Sequence, residues 1–211
     1  MKNTKYISNA VIRRLPRYYR YLGELINNGI LRISSGELSE RMGLTASQVR
    51  QDLNHFGDFG QQGYGYNVEL LREEIGRILG LEHEHRVIII GAGHLGTALA
   101  NYANFEKRGF QVVALIDTDA RVIGTQINSR PVLNFKEVRT YLQKNPADIA
   151  VLALPKTAAP EVANALIDCG IRAFWNFASV DLKFSDPSVV VENVHLSDSL
   201  MTLSYRIARQ K

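Results

Sequence analysis

The sequence predicts an α/β protein in two parts: a small helical domain closed by a glycine-rich β-hairpin, then a doubly wound parallel sheet. Three observations carry this. Two short helical segments meeting near Gly43 are followed by a run that alternates glycine with aromatic and polar residues. From Arg86 onward, apolar strands alternate with helical stretches, the order that builds βαβ units. The charge also divides, since residues 1 to 66 hold nine Lys or Arg against five Asp or Glu, and residues 67 to 211 hold sixteen of each. All of the net +4 thus lies in the first third, which suits that part to a polyanion.

Composition excludes several classes. At 45% hydrophobic and 22% charged, the 211-residue chain is an ordinary globular protein. No apolar run approaches the roughly 18 residues that cross a bilayer, so no membrane partner is expected. Charges interrupt the N-terminus (MKNTKYISNAVIRRLPRYY) where a secretory signal would need an apolar stretch. The single cysteine, Cys169, cannot form an internal disulfide, which fits a reducing cytoplasm. Near the end of an apolar helix, it is expected to be a small core residue.

A first helix is expected over Asn9–Asn28, with Tyr18, Tyr21, Leu22, Leu25 and Ile26 at helical spacing and Gly29 stopping it. Pro16 must either kink this helix or mark its true first turn. Ser34 and Glu37 form a capping box for a second helix that turns Leu38 and Met42 inward and ends at Gly43. Thr45 starts a third, with Gln48 at the reciprocal capping position, Val49, Leu53 and Phe56 facing the core, and Gly57 closing it. Two short helices joined by a tight glycine turn match the helix-turn-helix pattern. Ser47, Gln48, Arg50, Gln51 and Asn54 remain on the other faces, where short polar and amide side chains suit base edges in a major groove. The same residues would also suit a plain solvated helix. The run from Gly57 to Tyr66 is expected to form a β-hairpin wing, which adds Gln62 and Tyr64 as candidate DNA contacts.

The second domain begins after a helix over about Val68–Leu79. The segment Arg86-Val87-Ile88-Ile89-Ile90-Gly91-Ala92-Gly93-His94-Leu95-Gly96 is a buried strand running into G-x-G-x-x-G and then into a helix expected to reach Gly109. That context gives the motif its meaning: Gly91 for the tight turn, Gly93 for approach of a pyrophosphate, Gly96 for packing helix on strand. Anionic phosphates would sit at the helix N-terminus, on its free N–H groups. Ala92, His94 and Leu95 complete this cofactor loop. Asp117 follows a strand over Gln111–Ile116, where a carboxylate accepts both ribose hydroxyls and repels a 2′-phosphate, so NAD+ and NADH are favoured over the phosphorylated forms. Arg121 nearby leaves the phosphorylated cofactor open, and Asp119 is the weaker acidic candidate.

Further strands are expected at Asp148–Leu154, Ile171–Asn176 and Val189–Val191, giving a Rossmann-type sheet of about six or seven strands. Pro155 and the run Asn176, Phe177, Ala178 fall at strand C-terminal ends, beside the ligand crevice. Catalysis is not expected: no domain remains for a substrate pocket, and no Tyr-x-x-x-Lys spacing links Tyr102 to Lys156. His83-x-His85 has metal-like spacing without further ligands nearby and is expected to be exposed linker, so no metal is assigned. A small NAD-dependent oxidoreductase and a DNA-binding sensor of another adenine nucleotide are the competing readings.

The stretches Gln48-Val49-Arg50-Gln51-Asp52-Leu53, Phe56-Gly57-Asp58-Phe59-Gly60, Gly91-Ala92-Gly93-His94-Leu95-Gly96 and Asn176-Phe177-Ala178, in this order and at this length, resemble the Rex family of redox-sensing transcriptional repressors. The resemblance spans nearly the whole chain. It implies a winged helix-turn-helix domain with linker over 1–82, a Rossmann NAD(H)-binding domain over 83–194, and a helix over 195–211 exchanged with a homodimer partner. It further implies a repressor that binds double-stranded operator DNA and is released when NADH closes the dimer. Leu196, Leu200, Leu203 and Ile207 lie at helical spacing, so the last helix has an apolar face to cover.

The chain departs from the family pattern in its DNA contacts and in its switch. Gln51 stands where relatives often have lysine, and Gln62 where the wing often has arginine. Glutamine pairs bidentately with adenine and lysine suits guanine, so an A·T pair is expected in the operator where lysine-bearing relatives prefer G·C. In relatives an arginine matching Arg20 engages an acid of the other subunit together with a tyrosine matching Tyr102. Here the acidic position falls on His195, and Asp198, three residues on, is the candidate substitute.

Overall fold

Pro16 decides how the N-terminus is built. The computed structural model describes residues 7–55, 60–61 and 64–210. In place of one helix over Asn9–Asn28 it has two, α1 (Asn9–Ile12) and α2 (Leu15–Asn27), with Pro16 in the first turn of α2. There its missing N–H leaves no helical bond unmade. The chain divides into two compact units, Met1–His83 and Glu84–Lys211.

In the first unit, α3 (Ser35–Met42) opens on the expected capping box: Ser34 Oγ accepts the Glu37 N–H at 3.1 Å and Glu37 accepts the Ser34 N–H at 2.8 Å. Helix α4 (Ala46–Leu53) is capped by Thr45, which accepts the Gln48 N–H at 3.1 Å; the side chain of Gln48 returns no bond to Thr45. It ends at Leu53 rather than at Gly57, and Phe56 and Gly57 lie outside the described residues. Strands β1 (Arg32–Ile33), β2 (Gly60–Gln61) and β3 (Gly65–Asn67) form an antiparallel sheet in the order β1-β3-β2. β2 and β3 are the expected hairpin; β1, at two residues, is too short to show a period in the sequence. Helix α5 (Val68–Ile78) follows, capped by Asn67. Leu15, Tyr18, Leu22, Leu25, Leu38, Met42, Val49, Leu53, Leu71 and Ile75 make this unit's core.

The second unit is a seven-stranded sheet: β4 (His85–Ile90), β5 (Phe110–Asp117), β6 (Gln126–Ile127), β7 (Arg130–Asn134), β8 (Ile149–Leu152), β9 (Ala173–Asn176) and β10 (Val190–Asn193). The order is β10-β9-β8-β4-β5-β7-β6, all parallel except the β6–β7 pair. The chain runs outward from β4 through β5 and β7, then returns to β8 on the other side of β4. That reversal opens a crevice at the C-terminal ends of β4, β5 and β8. Helices α6 (His94–Ala100), α7 (Val138–Lys144) and α8 (Ala159–Asp168) connect strands, and α9 (Leu196–Ala208) ends the chain. Ile88 and Ile90 join one core layer and Val87 and Ile89 the other, which is why β4 is apolar on both faces.

Three expectations change. Helix α6 stops at Ala100 instead of reaching Gly109, and beyond it Phe105 packs edge-on against Trp175 at 5.6 Å. The β6–β7 hairpin was absent from the expected elements; Asn128 and Ser129, at φ 49° and 63°, make its turn without glycine. His85 is not linker but the first residue of β4, its ring stacked on Phe110 at 5.5 Å.

Candidate functional site

The crevice is shaped by backbone contacts that side chains would obstruct. At Gly91 (φ 102°) an added Cβ would stand 2.2 Å from the Ala153 carbonyl oxygen, and at Gly96 one would stand 1.8 Å from that of Gly91. Only glycine allows this turn and this helix–strand approach. Gly93 differs: a Cβ there meets nothing within 4 Å. Its side is open space, at the start of a helix whose N-cap has no side chain to occupy the first N–H groups. An anion approaching the backbone fits that opening.

Asp117 Oδ2 accepts the Ala92 N–H at 2.6 Å, and its Oδ1 accepts the N–H groups of Thr118 and Asp119 at 2.6 and 2.9 Å. The carboxylate is thereby oriented at the crevice wall. Ile90, Gly91, Gly93, Asp117, Leu154 and Pro155 are among the residues lining a cleft of about 290 Å³. His94 and Leu95 form the first turn of α6, with His94 exposed. The competing cation is engaged elsewhere: Arg121 donates three bonds of 2.6–3.0 Å to the Asp119 carboxylate, which drives the Asp119 pKa down to about 2. Asp119 therefore holds Arg121 and leaves Asp117 as the acid lining the cleft.

Asn176, Phe177 and Ala178 lie at the end of β9, outside the residues that line this cleft. Asn176 is wholly buried; its Nδ2 donates to Val180 O at 2.7 Å and Asn193 Oδ1 at 2.8 Å, and its Oδ1 accepts the Ala178 N–H at 3.0 Å. Its side chain builds the loop after β9. Phe177 packs edge-on against Trp175 at 4.6 Å.

In the first unit, Ser47, Arg50, Gln51 and Asn54 are exposed and Gln48 is half-buried. Arg50 Nη1 donates to Ser35 Oγ at 2.9 Å, joining the two helices of the helix-turn-helix. Tyr64 is 69% exposed, and Arg32 both donates to its carbonyl at 3.3 Å and lies over its ring at 5.9 Å. Gln62 lies outside the described residues. Sequence reasoning missed the group behind α4: Arg14 donates twice to Asp52 at 2.7 Å, and Tyr18 donates to it at 3.1 Å. An acid between Val49 and Leu53, at a position pointing into the core, was the available signal.

Of the candidate switch residues, Arg20 is exposed and rests with Arg17 near the Tyr21 ring, at 5.4 and 5.6 Å. Tyr102, 47% exposed, meets Phe105 edge-on at 4.8 Å. Asp198 is exposed in the first turn of α9. His195, at the N-cap of α9, contacts Asp181 at 2.8 Å, and that bond raises the His195 pKa. Asp181 had no signal in the sequence. Among the described residues no group of three His, Cys, Asp or Glu is placed to hold a metal, and no helix is long and apolar enough to cross a membrane.

Comparison with known proteins agrees with this geometry. Residues 6–54 match the family model described as putative DNA-binding protein N-terminus, and residues 82–180 match the CoA binding domain. The redox-sensing transcriptional repressor Rex of Clostridioides difficile is 53% identical over 211 residues, covering all of both chains. That of Thermoanaerobacter pseudethanolicus is 53% identical over 210 residues, all of this chain and 93% of its own. The crystal structure of RSP with beta-NAD+ and operator DNA superposes with a TM-score of 0.90 at 53% identity, over 98% of this chain and 94% of that one. RSP with beta-NADH gives 0.90 at 50% identity, over 98% and 96%. Identity of this extent over the full length places the chain in the Rex family of redox-sensing transcriptional repressors.

Proposed function

We propose that this protein represses transcription by binding a two-fold operator as a homodimer, and that NADH in the crevice releases it. The single observation that carries the reading is the joining of Asp117 to Ala92 beside the open side of Gly93, in a chain half-identical to named Rex repressors. A bound dinucleotide supplies the signal, since its nicotinamide differs between NAD+ and NADH in charge and shape. Gly91, Gly93 and the first N–H groups of α6, with Ala92, His94 and Leu95, hold the pyrophosphate, and Asp117 accepts the ribose hydroxyls. Pro155 bounds the cleft, and Phe177 and Ala178 on the Asn176-built loop bound the nicotinamide end. Ser47, Gln48, Arg50 and Gln51 meet the major groove, and Gln62 and Tyr64 of the wing meet the backbone.

Release requires only that NADH prefer one dimer state and DNA the other. Arg20, Tyr102 and Asp198 carry that preference in this proposal. The dimer is supported by α9: Leu196, Leu200, Leu203 and Ile207 are 51–66% exposed in the single chain, an apolar stripe that a second copy would cover. The protein acts in the cytoplasm, where the DNA and the NAD pool are, and its relatives are named as repressors, not enzymes. A gel shift on a two-fold operator with NAD+ and NADH titrated separately tests the whole. NADH should release the complex at concentrations where NAD+ does not. Equal release by both would remove the redox reading, and steady substrate reduction would restore the enzyme.

A further inference from the structure

The helix that presents Gln51 is only two turns long, and its apolar anchors, Val49 and Leu53, lie four residues apart on one line along its axis. Two apolar anchors on one line and the exposed Arg50–Ser35 hydrogen bond hold the roll of such a helix weakly. Asp52 supplies a third point off that line. It is 3% exposed, gripped by both nitrogens of the Arg14 fork at 2.7 Å and by the Tyr18 hydroxyl at 3.1 Å. A bidentate fork fixes direction as well as distance. Arg14 lies at the junction of α1 and α2, and Tyr18 is fully buried in the core. Gln51 precedes Asp52 directly, so whatever angle the clamp sets for Asp52 it also sets for Gln51 and Arg50.

We propose that Arg14, Asp52 and Tyr18 are positioning residues that set the roll of α4 and thereby the base discrimination of the protein, rather than its stability. The inference rests on the reading of α4 as the helix that meets DNA. Its physical basis is that an ion pair with a buried carboxylate seldom stabilises a fold better than apolar residues of like volume, while in some proteins such a pair specifies one geometry. Removing both charges together leaves net charge unchanged, so non-specific attraction to phosphate stays as it was.

The test compares wild type with Tyr18→Phe, with Arg14→Lys, and with the apolar triple variant Arg14→Met, Tyr18→Phe, Asp52→Leu. Each full-length protein is measured for melting temperature and for binding to operator and to random duplex across a salt series. The triple variant should melt at or above the wild-type temperature and keep wild-type affinity and salt slope on random DNA. Its preference for operator should fall by about tenfold or more, the scale of one misread base pair. Arg14→Lys keeps the charge but not the fork and should fall part of the way. A triple variant of wild-type stability with undiminished operator preference would overturn the proposal. Should the triple variant fail to fold, the two single variants decide: losses on operator and random DNA in equal proportion would overturn it. Wild-type protein with no operator preference would instead sink the repressor reading, a separate outcome.

Discussion

The carboxylate of Asp117 accepts the backbone N–H of Ala92 at 2.6 Å, which ties the end of β5 to the glycine turn after β4. The residue expected to bind ribose is thus also the residue that holds the turn. Asp117→Ala removes a charged acceptor and leaves the Ala92 N–H without its partner, costing about 1.5–3 kcal/mol. Loss of the charged acceptor for the ribose hydroxyls, about 1.5–3 kcal/mol in binding, should lower NADH affinity about 10- to 150-fold, read by fluorescence titration of the purified protein. Asp117→Asn, which can still accept from Ala92, should lose less. Equal losses in the two variants would show that orienting the turn contributes nothing.

The three motif glycines should separate on substitution by alanine. Gly96→Ala places a methyl group 1.8 Å from a backbone oxygen, and this unit should lose about 3 kcal/mol or more. Gly93→Ala meets nothing within 4 Å and has φ −72°, so stability should stay within about 0.5 kcal/mol. The methyl group would nevertheless occupy the opening offered to the pyrophosphate. Calorimetry should therefore find Gly93→Ala folded as wild type and blind to NADH.

Gln51 is exposed on α4, free to reach a base edge. Selection of binding sites from a random pool should return A·T opposite it, and Gln51→Lys should shift that one position to G·C by about 1–3 kcal/mol of discrimination. An unchanged preference would remove Gln51 from the recognition set.

His195 touches Asp181 at 2.8 Å, and that hydrogen bond, with Asp198 adding to it, raises the imidazole pKa above 6.5. Because the folded value is the raised one, the pair's contribution is complete below pH 6.5 and disappears as pH rises through the folded pKa. Proton NMR of His195 should give a midpoint above 6.5, and Asp181→Asn should bring it back toward that value. Protection of the first-turn amides of α9, taken relative to their intrinsic base-catalysed exchange, should fall over the same pH range.

Where one short stretch contains the whole reason for a feature, the sequence was enough. The capping box at Ser34 and Glu37 is local, and the strand–glycine–helix order around Gly91 implied the backbone contacts that its glycines make. Features set by distant partners were hidden. Arg14 and Asp52 are 38 residues apart, and neither shows its partner in its own neighbourhood. Helical spacing continued past Ala100, but the chain leaves the helix there and Phe105 packs on Trp175, 70 residues further along the sequence. The motif located Asn176 at a strand end, while its side-chain direction depended on Asn193. The β6–β7 hairpin escaped because Asn128 and Ser129 turn it without the glycine that usually marks such a turn.

A last consequence comes from α9. Six large apolar side chains of this helix, Leu196, Leu200, Met201, Leu203, Tyr205 and Ile207, are 51–66% exposed in the single chain. In the homodimer proposed above a second copy covers them, and that contact would add to stability by mass action, so resistance to unfolding would rise with protein concentration. Dilution is then a stress in its own right. The level at which the gene is expressed would then enter the molecule's thermodynamics.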